Sequence, residues 1–165
     1  MGTNAQDILD KKFTCIEFEQ EKTNYRVTDA DMGRFMSQEK TLAQKIGIIK
    51  LKYEMENGLK PMVAYEKIET QCQIPISTLK STINGKVKPT RNFVYKFTVG
   101  LGMTLEEANE LFMLCGGPLS EYCMADFICL CALRDKDDIF TFIEDFQKYT
   151  KLKIEIKERK ESFSL

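Results

Sequence analysis

The sequence predicts a mainly α-helical protein, and three observations carry that reading. Apolar residues recur at helical spacing in long windows, at Leu42, Ile46, Ile49 and Tyr53 and again at Ile139, Phe142, Ile143 and Phe146. Helix start and stop signals punctuate the chain at Asn57-Gly58, Pro61, Pro75, Asn84-Gly85 and Gly116-Gly117-Pro118. With 165 residues, 43% of them hydrophobic, the chain can also bury the core of one compact domain with a small appendage. The expected division is an N-terminal arm or small strand segment at 1–36, a helical domain at 37–116, a C-terminal helical extension at 117–149, and a basic tail or strand at 150–165.

Each element has its own signal. Ile16 and Phe18 alternate with Glu17 and Glu19, which predicts a short strand in the otherwise irregular first segment. Ser37 is expected to cap a helix running to about Asn57, since 38–56 holds no proline. Pro61 starts a second helix through about Gln71, and Pro75 opens a short third one that stops at Asn84-Gly85. Lys86 to Thr90 is a basic loop, and Arg91 to Gly100 reads as a fourth helix. Thr104 with Glu107 forms a capping box for a fifth, running to about Leu114. Ser120 is expected to cap a sixth helix, whose Phe127, Ile128 and Leu130 to Leu133 are apolar nearly all round and predict a central position. Asp138 to Tyr149 is the seventh. Leu152, Ile154 and Ile156 then alternate with lysines and a glutamate, a strand pattern that could pair with the N-terminal one as a two-stranded ribbon.

A net charge of −1 conceals a segregated distribution. Residues 60–97 carry Lys60, Lys67, Lys80, Lys86, Lys88, Arg91 and Lys96 against Glu66 and Glu69, a local +5. Residues 103–145 carry ten acids against Arg134 and Lys136, a local −8, and the stretch from 146 onward is +3. Phosphate attraction acts over about 10 Å, so a basic segment matters more to nucleic-acid binding than the total. No stretch approaches the length of apolar chain that spans a bilayer, and acids and bases interrupt the N-terminus before any signal-like run develops. The six cysteines are therefore expected to be reduced, in a cytoplasmic protein.

Three short helices with tight links between 61 and 100, the third inside the basic segment, have the layout of a helix-turn-helix module. The run Ile74-Pro75-Ile76-Ser77-Thr78-Leu79-Lys80-Ser81-Thr82-Ile83-Asn84-Gly85-Lys86-Val87-Lys88-Pro89-Thr90, followed by a helix and Leu101-Gly102-Met103-Thr104-Leu105-Glu106-Glu107, resembles the lambda-repressor-like, or xenobiotic-response-element type, helix-turn-helix family. The likeness covers roughly Gln44 to Phe112 and extends loosely through Phe146. It implies a five-helix helix-turn-helix core at 37–116, with two additional C-terminal helices, in a regulator of bacterial or phage origin.

Leu79 and Ile83, one turn apart, are expected to be the buried side of the third helix, leaving Ile76, Ser77, Lys80 and Ser81 outside. Carried over by position, the resemblance places Ile76, Ser77 and Ser81 where the family reads bases: serines can pair with base edges and isoleucine with a thymine methyl. Thr78, Lys80, Lys86, Lys88 and Arg91 fall where contacts to the sugar-phosphate backbone are made. Two residues depart from the pattern. Glu69 stands where the family usually has alanine, and is expected to be exposed by a changed crossing angle or paired with Lys80. Gln73 stands where glycine is frequent, which suits a turn that needs no positive φ.

Other chemistries are set aside by composition. Without histidine there is no Ser-His-Asp or Cys-His nucleophile and no His-containing zinc site. Cys129-Leu130-Cys131 and the Cys115, Cys123 pair lack zinc spacing and read as small hydrophobes on apolar helices. Asp135, Asp137 and Asp138 resemble a calcium-loop fragment but lack its glycine and terminal glutamate, so a helix cap is the better reading. No glycine-rich phosphate loop is present. The expectation is thus a non-enzymatic, DNA-binding transcriptional regulator with no cofactor and no membrane, its partner double-stranded DNA. A homodimer stays open, since one thin base-reading set gains specificity from two half-sites. The alternative is a protein-binding module on the same scaffold (an antitoxin or a phage-encoded inhibitor of a host defence protein), with a protein partner met through the acidic 103–145 region.

Overall fold

The computed structural model describes residues 26–154, with 35–40 described by backbone alone. Among these residues stand seven helices and no strand: α1 (Asp29–Asn57), α2 (Pro61–Cys72), α3 (Ile76–Ile83), α4 (Arg91–Gly100), α5 (Leu105–Phe112), α6 (Met124–Asp135) and α7 (Ile139–Thr150). The chain divides into two compact units, Met1–Met36 and Ser37–Leu165. The second unit runs without interruption past residue 116, so 117–149 shares one core with the helices before it.

Local chemistry accounts for most helix ends. Thr104 Oγ1 accepts from Glu107 N at 3.1 Å while the Glu107 carboxylate accepts from Thr104 N at 2.9 Å, the reciprocal box expected for α5. Asp138 accepts from Thr141 N at 2.8 Å and caps α7, and Thr90 does the same for α4 through Phe93 N. Gly58 and Gly85 take positive φ, 61° and 78°, where α1 and α3 stop.

Four expectations are corrected here. α1 begins at Asp29, so Ser37 lies inside the helix and caps nothing. The start is set instead by Thr28, whose hydroxyl accepts from Asp31 N while the Asp31 carboxylate accepts from Thr28 N, an aspartate taking the glutamate's role in a capping box. α6 begins at Met124 rather than after Ser120, because the Ser120 hydroxyl accepts from Tyr122 N at 3.0 Å and closes a turn ahead of the helix. The strand expected after residue 150 is absent at 151–154: Lys151 adopts φ 64°, Thr150 Oγ1 accepts from Leu152 N, and Ile154 is buried in the core. Its partner strand around Ile16 and Phe18, and Ile156, lie outside the described residues. Finally, the central helix is α4, not α6. Every residue from Phe93 to Val99 is buried, whereas Met124 and Phe127 of α6 face solvent.

α4 can be central although it carries Lys96 and Thr98 because both are satisfied internally. The Lys96 ammonium donates to the Gln73 carbonyl at 3.1 Å, and the Thr98 hydroxyl to the Val94 carbonyl at 2.8 Å. Around α4 pack α2, α5, α6 and α7, with Tyr95 tilted against Phe112, Phe142 and Phe146 at centroid distances of 5.6–6.2 Å. α4 meets α2 so closely at Gly100 that an added Cβ would lie 2.6 Å from the Gln71 carbonyl oxygen and 2.6 Å from Cys72 Sγ. This contact sets the depth at which α2, and the α3 that follows it, sits on the core.

Candidate nucleic-acid interface

α2 and α3 are joined by a three-residue link in which Gln73 adopts φ 57° and ψ 42°. The turn therefore does need the left-handed conformation, contrary to the expectation for a residue other than glycine. It is held by two bonds: the Gln73 side-chain amide donates to the Thr70 carbonyl at 3.0 Å, and the Gln73 carbonyl accepts from buried Lys96. Lys96 is thus removed from the surface basic set.

α3 buries Leu79 and Thr82 fully and Ile83 in part. Gly47 of α1 lies against Ile83, where an added Cβ would stand 3.4 Å from its Cγ2. On the outer side Ser77 and Lys80 are exposed, while Ile76, Thr78 and Ser81 are half-buried. Lys86 and Lys88, in the loop after α3, are exposed as well.

Glu69 is half-buried and paired. Its carboxylate accepts from the Ile76 backbone N–H at 3.0 Å, so α2 supplies the cap that Pro75, without a suitable side chain, cannot. One turn earlier on α2, the Tyr65 ring lies beneath two ammonium groups: Lys50 at 4.0 Å from the centroid and Lys80 at 5.4 Å. Lys50 is buried and ion-paired with Glu54. The pair Tyr65, Glu69 on α2 thereby matches the pair Ile76, Lys80 on α3, each separated by a single turn.

Arg91 is the second correction. Its guanidinium faces inward, not toward a phosphate: Nε and Nη2 bind the Asp126 carboxylate at 3.1 and 2.8 Å, and Nη1 donates to the carbonyls of Cys115 and Gly117 (3.0 Å to the latter). Asp126 also accepts from the Tyr95 hydroxyl and from Ser120 N. Burial would raise the Asp126 carboxyl, but the bonds from Arg91, Tyr95 and Ser120 take it below the ordinary carboxylate range. The same burial, with the neighbouring carboxylate, pushes the Tyr95 phenol up.

Of the residues assigned to base or backbone contact by sequence, the structure thus brings Ile76, Ser77, Thr78, Lys80, Ser81, Lys86 and Lys88 to α3 and its following loop and takes Arg91 away. Sequence reasoning missed Tyr65, whose signal was its spacing of one turn from Glu69. Among the described residues no group of three acids or cysteines is placed to hold a metal ion. Cys72 and Cys129 are buried, and burial pushes the Cys129 thiol up to about 12. Cys115 and Cys123 lie in the α5–α6 connection and not on helices, and Cys123 is exposed.

Comparison with protein-family models, curated proteins and solved structures found no match.

Proposed function

We propose that the chain is a cytoplasmic, non-enzymatic, DNA-binding transcriptional regulator of the lambda-repressor-like helix-turn-helix type, reading the major groove with α3. The observation that carries the reading is the pairing of an amphipathic α3, Leu79 and Thr82 inward and Ser77 and Lys80 outward, with the exposed Lys86 and Lys88 just beyond its end. In such a surface lysines supply sequence-independent affinity and the serines, with Ile76, supply discrimination. The polar inventory is small, so a homodimer on two half-sites is the form that gains useful specificity.

A second reading is favoured by a separate observation. Glu69 places a carboxylate at the N-terminus of α3, where a DNA phosphate is otherwise welcome, and Ile48, Leu51 and Met55 form an exposed apolar stripe on α1. Both suit a protein-binding module of the antitoxin or defence-inhibitor kind. Fluorescence anisotropy of Ser77→Ala and Lys88→Ala on a duplex selected from a random pool, and on unselected duplex, separates them. The regulator loses about 1–3 kcal/mol with Ser77→Ala on the selected duplex alone, and loses affinity on both duplexes alike with Lys88→Ala. Identical, salt-insensitive signals for all variants favour the protein-binding module.

A further inference from the structure

We infer that Tyr65 is a positioning residue for the α3 face: it holds the Lys80 ammonium in place for a DNA phosphate, and so acts on DNA affinity without touching DNA. The inference rests on the DNA-binding reading above. Its basis is the ladder between α2 and α3. Glu69 ties the start of α3 through the Ile76 N–H, fixing the rotation of α3 on α2. One turn along both helices, the Lys80 ammonium lies 5.4 Å from the Tyr65 ring centroid. The ring itself is anchored from α1 by buried Lys50, whose charge is met by Glu54. Lys50 is thus committed inside the protein, whereas Lys80 is exposed. A lysine side chain free in solvent must be ordered when it meets a phosphate; an aromatic ring beneath its head group orders it beforehand. Tyr65 needs only its ring for this role, not its hydroxyl.

The test is a double-mutant cycle on the full chain, read by anisotropy on random duplex over a salt series. Lys80→Ala should reduce the slope of log affinity against log salt by about 0.9. Tyr65→Leu should lower affinity at each salt concentration, and Tyr65→Phe should restore wild-type binding. In the Lys80→Ala background Tyr65→Leu should change nothing further, because its effect passes through Lys80. Unchanged binding by Tyr65→Leu, losses that add in the double variant, or failure of Tyr65→Phe to rescue overturns the inference. Should Tyr65→Leu unfold, wild type and Tyr65→Phe still decide, through the ring-current shift of the Lys80 methylene protons. That upfield shift should be present in wild type and in Tyr65→Phe, and its absence from both overturns the inference. Wild-type protein that binds no duplex while showing the ring-current shift refutes the DNA reading itself, and the inference falls with it.

Discussion

Replacing Arg91 by alanine separates a structural role from a DNA-contacting one. The side chain joins the start of α4 to α6 and to the 115–118 loop, and Asp126, its partner, is only 4% exposed. Removing the guanidinium leaves the carboxylate with the Tyr95 hydroxyl and Ser120 N–H and strips the carbonyls of Cys115, Gly117 and Pro118 of a donor. Breaking one side of a buried pair costs about 3–5 kcal/mol. Domains of this size commonly hold about 5–15 kcal/mol in total, so the loss corresponds to a fall in Tm of roughly 10 °C. Thermal and urea unfolding followed by circular dichroism measure it.

The pH dependence adds a signed check. In wild type the Asp126 carboxyl is held below its ordinary value, so its contribution is present above about pH 4 and is lost as pH falls through the lowered value. In Arg91→Ala the carboxyl loses the partner that lowers it most and moves up, so the deficit should shrink as pH is taken toward 4 and below. A variant that keeps its unfolding free energy within about 1 kcal/mol of wild type, but loses duplex affinity, would refute the inward role and return Arg91 to the phosphate face.

Three further substitutions probe the scaffold around the site. Gly100→Ala drives a Cβ to 2.6 Å from the Gln71 carbonyl oxygen, a backbone atom that cannot swing away; urea unfolding should show a loss of about 3 kcal/mol or more. Thr82→Val replaces a fully buried hydroxyl that lacks a hydrogen-bond partner, and should raise stability by about 1 kcal/mol in the same assay. Glu69→Ala removes the cap on Ile76 N–H, and the same assay should show a loss of about 1 kcal/mol.

Local signals made the helices from α2 to α5, and α7, legible, because proline, glycine and capping residues act within a turn of where they stand. Pro61, Thr90, Thr104 and Asp138 each mark the start that the structure shows. The misreadings of Arg91 and Lys96 arose where a distant partner decides. Arg91 and Asp126 lie 35 residues apart, one in the basic stretch and one in the acidic stretch, and were counted as opposite surface charges when they neutralise each other inside. Lys96 looked like another surface base until the Gln73 carbonyl, exposed by an unforeseen left-handed turn, received it. The central place of α4 was hidden for the same reason: polar groups satisfied across the fold, such as Lys96 and Thr98, cannot be told from solvated ones by periodicity alone. At the site, the outward face of α3 was legible from Leu79, while the Tyr65–Lys80 and Glu69–Ile76 contacts needed the crossing of α2 on α3.

The most direct measurement is the salt dependence of wild-type binding to random duplex DNA. With Lys80, Lys86 and Lys88 each meeting a phosphate, one module should give a slope of log affinity against log salt near −2.7, at about 0.9 per contact, and a dimer about twice that. A slope near zero, or no binding at the lowest salt, would contradict the account and leave α3 as a surface for protein.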